Sequence, residues 1–356
     1  MAKSQLEFKG YALVDPHNFL DLQVSAIKPK NFTADDVEIA ITHCGVCGSD
    51  LHTLKQGWGE SKLPLIVGHE IIGHAVRVGD NVQDIKVGDR VGVGAAIWSC
   101  MSCRQCKEGY ENYCPQCLST YNDEYKDGIV TQGGYATGIR AHQQFVFPIP
   151  DAIESKYAAS MMCGGLTVFS PLKTNGAGPG KKVGVIGIGG LGHYAVLFAR
   201  ALGAEVYAFT HSKDKMDDAK KLGANHVIDT TNKDFAEPYA GALDIIISTM
   251  DATSHLPLKE FLSMLYVHGR FINVGIPDAD QPLPTIHAFD LVPNGCYIGG
   301  SSVGSKKECM EMLRIAAEKG VKPWIHELPM KDAKKALDAV ANNTVRYRYV
   351  LTQDLA

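Results

Sequence analysis

No apolar run in this chain of 356 residues approaches the roughly 20 residues that a helix needs to cross a bilayer. Met1-Ala2-Lys3-Ser4-Gln5 starts no signal peptide, because the apolar stretch of such a leader does not follow. Positive charge is not in excess: 35 Lys and Arg stand against 39 Asp and Glu, for a formal net charge of −4. No basic field is therefore available to hold nucleic acid or an anionic lipid surface. Internal repeats, low-complexity tracts and linkers are missing as well. These absences lead us to expect a cytoplasmic protein that meets small molecules rather than a membrane or a nucleic acid.

What is present is enough to bury large cores. Hydrophobic residues make up 45% of the chain, and the length suggests two domains. The ten cysteines are unevenly placed: Cys100, Cys103, Cys106 and Cys114 fall within fifteen residues, with Cys117 just beyond. A secreted disulfide scaffold would be short and evenly laced, so clustered cysteines in a chain of this length point to metal.

Residues 1–160 read as β-rich. Short extended pieces such as Val37–Ile41 and Ile71–Val76 alternate with turns such as Val78-Gly79-Asp80-Asn81, and helical periodicity is scarce. From about Lys181 the rhythm changes. Strand-like runs at 182–186, 205–210, 226–229, 244–249 and 269–274 alternate with helical segments at 191–202, 213–222 and 256–265. That alternation predicts a parallel, doubly wound sheet, with Gly203 and Gly223 where C-terminal helix caps are wanted. A last strand is expected at 296–302, helices at 305–319 and 331–342, and a strand at 345–351.

The stretch Gly187-Ile188-Gly189-Gly190-Leu191-Gly192 lies between an apolar strand and a helix. That context makes it a dinucleotide fingerprint. Gly187 allows the tight turn, Gly189 lets the backbone approach a pyrophosphate, and Gly192 lets the helix pack on the strand. The pyrophosphate would meet N–H groups at the start of the helix. Some 20 residues on, where an NAD site places Asp or Glu, the sequence reads Thr210-His211-Ser212-Lys213-Asp214-Lys215. No carboxylate occupies 209–212. Hydroxyls, an imidazole and the lysines Lys213 and Lys215 could hold a 2′-phosphate, so NADP(H) is expected. Ser212 also stands where a cap for the helix at 213–222 would.

Cys100-x2-Cys103-x2-Cys106-x7-Cys114 has the spacing of a closed, structural Zn2+ site. An iron–sulfur cluster uses similar spacings, although its last gap is shorter, and free buried cysteines are the plainer alternative. A second set is dispersed: Cys47, His69 beside Glu70, and Cys163. Two thiolates and an imidazole would leave a fourth position of a metal open. Each alone is more often structural, and spacing does not single them out.

Taken together, these residues resemble the zinc-dependent medium-chain alcohol dehydrogenases, and within them the cinnamyl alcohol dehydrogenase branch. The resemblance rests on Gly45-Val46-Cys47-Gly48-Ser49-Asp50-Leu51-His52, Gly68-His69-Glu70, the cysteine cluster, Tyr121-Asn122-Asp123 and Thr131-Gln132-Gly133-Gly134-Tyr135. It continues through Cys163–Leu172, Gly187–Gly192 and Val345-Arg346-Tyr347-Arg348.

The resemblance implies a GroES-like β-rich catalytic domain (1–160 and 303–356) and a Rossmann domain with a doubly wound parallel sheet (161–302). It implies a catalytic zinc on Cys47, His69 and Cys163 with Glu70 alongside, and a structural zinc on the four-cysteine cluster. Ser49 and His52 would relay a proton, although Gly57 stands where some branch members carry an acid. Thr167, Asn273, Val274, Gly275, Ser301 and Arg346 would line the cofactor site, and Arg348 is expected solvated on a surface strand. Trp98 and Tyr121 could wall a substrate site, although buried core is the commoner fate for such side chains. The activity implied is reduction of cinnamyl, benzyl or aliphatic aldehydes, or the reverse oxidation, by a homodimer. Its rivals are a specialised reductase of a cyclic or iminium metabolite and a non-catalytic NADPH-binding protein.

Overall fold

The computed structural model describes residues 6–252 and 256–355. The first five residues, read above for a leader, lie outside that range. The chain divides into two compact units, one of residues 1–163, 304–317 and 324–356, the other of residues 164–303 and 318–323.

The first unit is built on a seven-stranded sheet. Its main path runs Ile325–Pro329, Arg348–Thr352, Asp36–Gly45, Ile71–Val78, Arg90–Val93, Val146–Pro148, and Gly138–His142 pairs with Asp36–Gly45 off that path. The long strand Asp36–Gly45 is the hub: it takes Ile71–Val78, Gly138–His142 and Arg348–Thr352 as antiparallel partners. Its register with the last strand sets Cys44 against Leu351 and Gly45 against Val350, so the chain's C-terminal strand returns to the turn that carries Cys47. Ile39, Ile41, Ile71, Val91, Val93, Val146 and Leu351 are buried in one apolar core.

Two elements here were not legible in the sequence. Gly48–Leu54 is a helix, and Ile325–Pro329 is a strand paired in parallel with Arg348–Thr352. The region read as β-rich also ends in helical chain: Ser155–Ser160, a π turn over Met161–Gly165, then Leu166–Thr174.

The second unit holds six parallel strands in the order His226–Asp229, Glu205–Thr210, Lys182–Ile186, Leu243–Ser248, Leu265–Asn273, Tyr297–Gly300. That is the expected Rossmann sheet, with its order reversing at Lys182–Ile186, the strand that feeds the glycine turn. Because helices cover parallel sheets, central strands read as unbroken apolar runs, and Val183, Val185, Val206, Ala208, Ile246 and Ile247 are fully buried.

Candidate active site

At the glycine turn, Gly187 has φ +82°, a left-handed conformation that a side chain would strain. A Cβ at Gly192 would lie 1.8 Å from the Gly187 carbonyl oxygen, so only glycine lets the helix Gly192–Ala201 start this close to the strand. A Cβ at Gly189 would meet nothing within 4 Å, so that position faces open space. Among the described residues, the N–H groups of residues 188–192 donate to no backbone carbonyl. A free row of donors at a helix start suits an anion.

In the first unit, Cys47, His69, Glu70 and Cys163 are all buried and bring one ligand atom each within 4.8 Å of one another. Three elements converge to do this. Cys47 precedes the short helix, His69 and Glu70 precede the strand Ile71–Val78, and Cys163 sits in the π turn, a backbone form concentrated at functional sites.

Asp50, fully buried, ties the centre together. Its carboxylate accepts from the N–H of Cys47 at 2.9 Å and of Gly68 at 3.1 Å, and from the Tyr135 hydroxyl at 3.2 Å. It also stands 3.3 Å from His69 Nδ1, and the Tyr121 hydroxyl lies 3.1 Å from the same nitrogen. With Nδ1 engaged, His69 Nε2 is left buried without a conventional hydrogen-bond partner among the described residues. This is the arrangement in which a carboxylate fixes the tautomer of a ligating histidine.

The electrostatics of the chain alone agree. Hydrogen bonding from Cys163, with the His69 ring adjacent, holds the Cys47 thiol well below its ordinary range in spite of burial. The same hydrogen bond, together with burial, pushes the Cys163 thiol up. Burial acts to lower His69, but the charge and hydrogen bond of Asp50 outweigh it and hold the imidazole well above its usual value. Burial raises Glu70 to about 7 against the pull of Arg348. Metal binding at such a set releases protons from thiols and imidazole.

The four clustered cysteines stand apart from this centre. Their sulfurs are 3.5 Å (Cys100–Cys114 and Cys103–Cys106), 3.8 Å (Cys103–Cys114) and 4.0 Å (Cys100–Cys106) apart, with no disulfide. A tetrahedron of roughly 2.3 Å Zn–S bonds has edges of about 3.8 Å, so four thiolates at this spacing fit zinc closely. Backbone N–H groups of Cys103 and Gln116 point at the Cys100 and Cys114 sulfurs, each at 3.3 Å. Cys117 is outside the set, and burial pushes its thiol up to about 12.

Residues 33–151 match the family described as the alcohol dehydrogenase GroES-like domain, and residues 190–318 the one described as zinc-binding dehydrogenase. The chain is 40% identical to the NADP-dependent alcohol dehydrogenase 6 of Saccharomyces cerevisiae, over 97% of its own length and 96% of the relative's. It belongs to the zinc-binding alcohol dehydrogenases. Cinnamyl alcohol dehydrogenase 2 of Arabidopsis thaliana is 42% identical over 89% of this chain and 84% of that one. Among solved structures, a cinnamyl alcohol dehydrogenase of Sorghum bicolor matches with a TM-score of 0.91 and 34% identity, covering 98% of both chains. The Helicobacter pylori enzyme, solved as a complex with NADP(H), matches with a TM-score of 0.88 and 32% identity, again over 98% of both.

For a zinc-binding alcohol dehydrogenase, both donor sets fit the metal: a closed shell of four sulfurs, and a Cys-His-Cys set with an orphaned imidazole nitrogen. Ser49 lies at the edge of the second set, where its hydroxyl accepts from the Cys47 thiol at 3.6 Å. His52, one turn on, is half-buried and stacks on Trp58, ring centroids 4.9 Å apart and planes 6° from parallel.

In the second unit the strand Glu205–Thr210 ends with Thr210 buried, its hydroxyl accepting from the N–H of Ser212 at 3.2 Å. Ser212 occupies the N-cap of Lys213–Leu222, but its side chain makes no capping bond. His211 and Lys213 are exposed and Lys215 half-buried. Thr167 is buried in the first turn of Leu166–Thr174. Asn273 ends its strand with Nδ2 donating to the Gly275 carbonyl at 2.7 Å, while its buried Oδ1 has no partner among the described residues. Val274 and Gly275 are buried and Ser301 half-buried, just past the edge strand. Arg346 is half-buried, its guanidinium 5.9 Å from the Tyr347 ring.

One sequence expectation is corrected. Arg348 is not solvated: it is 5% exposed and forms an ion pair with Glu70, because the pairing of its strand with Asp36–Gly45 turns it inward. Tyr121 is buried with its hydroxyl beside His69 Nδ1, and Trp98 packs against the apolar core, the commoner fate expected for both. The structure also adds Asp50, to which sequence reasoning gave no role. Its position three residues after Cys47, at N3 of a short helix, was the available signal.

Proposed function

We propose that this chain is an NADP(H)-dependent, zinc-containing alcohol dehydrogenase. In this reading it works mainly as a reductase of cinnamyl, benzyl or aliphatic aldehydes. Residues 1–160 and 303–356, with Cys163 just past that boundary, would hold zinc and substrate, and the rest of residues 161–302 the cofactor. The observation that carries the reading is the buried Cys47–His69–Cys163 set ordered by Asp50, together with a second Rossmann strand that ends on Thr210 without an acid. The names of the yeast and plant relatives and the NADP(H) complex of the Helicobacter enzyme support the cofactor and the substrate class.

Zinc held by Cys47, His69 and Cys163 would supply Lewis acidity to the substrate oxygen, and a bound nicotinamide would supply or accept the hydride. The chain's own residues do the rest. Asp50 and Tyr121 keep His69 in one tautomer and orientation. Ser49, beside Cys47, would pass a proton between the substrate oxygen and His52, the next member of the relay towards solvent in this reading. Thr210, His211, Ser212, Lys213 and Lys215 offer donors and positive charge to a 2′-phosphate. We place the enzyme in the cytoplasm as a homodimer. No helix among the described residues is long and apolar enough to cross a membrane.

The deciding measurement is the rate of NADPH and NADH oxidation with cinnamaldehyde, on protein whose zinc has been counted. We expect two zinc ions per chain, one for each donor set, and a strong NADPH preference. One zinc, tight NADPH binding and no turnover would favour a non-catalytic binding protein instead.

A further inference from the structure

The residue after the last glycine of the turn, His193, is fully buried. Its Nδ1 lies 3.0 Å from the Gly190 carbonyl oxygen and 3.3 Å from that of Gly189. Both neighbours are acceptors only, so Nδ1 carries the proton and donates. On the other side of the same turn, the Thr249 hydroxyl is 2.9 Å from the carbonyl oxygens of both Ile186 and Gly187. Four carbonyls of the turn are thus tied inward by two side chains, one from the helix that follows it and one from the end of a neighbouring strand. A chain with four glycines in six residues has little intrinsic preference for one shape, and an unbraced turn would lose that much more freedom on binding an anion.

We propose that His193 and Thr249 are positioning residues that brace the glycine turn from within, holding the N–H groups of residues 188–192 in the one arrangement that a cofactor pyrophosphate meets. The proposal deepens the functional reading above and rests on it. In this proposal each acts through the backbone carbonyls it holds.

The test is calorimetric titration of the wild-type chain and its variants with NADPH, alongside thermal unfolding and steady-state kinetics. His193→Leu keeps bulk and removes the donor, whereas His193→Asn keeps a donor at the δ position. We expect His193→Leu to weaken NADPH binding about tenfold, the weight of one hydrogen bond. His193→Asn should restore most of that loss, and in both variants KM for NADPH should rise with kcat unchanged. Thr249→Val, which removes only the hydroxyl, should weaken binding in the same direction and reads the brace even if His193→Leu does not fold. Wild-type affinity in both His193→Leu and Thr249→Val would overturn the brace. So would equal losses in the Leu and Asn variants that track a fall in melting temperature, since that marks a packing role. A wild-type chain that binds neither NADPH nor NADH would overturn the functional reading and the brace with it.

Discussion

Asp50 illustrates how much of a metal site lies outside the ligands. One carboxylate fixes the Cys47 backbone, the Gly68 backbone and the His69 ring. Asp50→Asn keeps the shape but exchanges an acceptor for a donor and removes the charge that orients His69. Losing such a partner typically weakens metal binding about 10–100-fold. After dialysis against a moderate chelator, the variant should retain the four-cysteine zinc and lose the other; retention of both would free Asp50 from this role. Arg348 makes a related argument about stability. Glu70 is fully buried, and Arg348 is its ionic partner. Arg348→Met leaves that carboxylate buried without its cation, and breaking such a pair costs about 3–5 kcal/mol. Urea unfolding should show this loss, and the double variant with Glu70→Gln should recover most of it.

The Rossmann strands were legible because burial on both faces writes them as continuous apolar runs, and because Gly223 caps its helix at φ +106°. The helix Gly48–Leu54 was not, since seven residues are too few to show a period, and its start is made by Asp50 reaching back to Cys47. The strand Ile325–Pro329 is half-buried with only one partner strand, so pairing rather than pattern makes it. For the same reason the meeting of Cys47, His69 and Cys163 could be reached only through resemblance: the sheet and the π turn assemble them from positions with no common spacing. The four-cysteine lobe was the opposite case, a local pattern with its own chemistry. Between residues 101 and 117 only Glu111 and Cys114 are buried, so no apolar core holds that loop. Metal has to supply the folding energy there. Cys103→Ser should lower the zinc count by one and open new protease cuts confined to about residues 99–120; an uncut loop would show that it stands without metal. At the end of the second Rossmann strand, Thr210→Asp places a carboxylate where a ribose 2′-hydroxyl would be held and a 2′-phosphate repelled. The NADPH-to-NADH ratio of kcat/KM should fall by about tenfold or more, the worth of one charged contact. An unchanged ratio would move the specificity away from this turn.

The six-stranded sheet of the second unit ends on two edge strands, His226–Asp229 and Tyr297–Gly300. Among the described residues, Tyr297–Gly300 pairs with Leu265–Asn273 alone, which leaves its far side without a strand partner there. In the segment that leads into it, Phe289 is 85% exposed and Val292 73%, and Tyr297 on the strand itself is 56% exposed. An open edge flanked by large apolar side chains is a template for another chain, and a second copy is the occupant that a symmetric contact favours. Two copies meeting antiparallel across this strand would join their six-stranded sheets and bury both aromatic groups at once. Phe289→Asp combined with Val292→Lys should therefore shift the sedimenting mass from twice that of one chain to that of a single chain at micromolar concentration. Zinc content should not change, because neither donor set belongs to this unit. A wild-type chain that sediments as a monomer would refute the dimer. A variant that stays dimeric would move the interface to another surface while leaving the two metal sites as described.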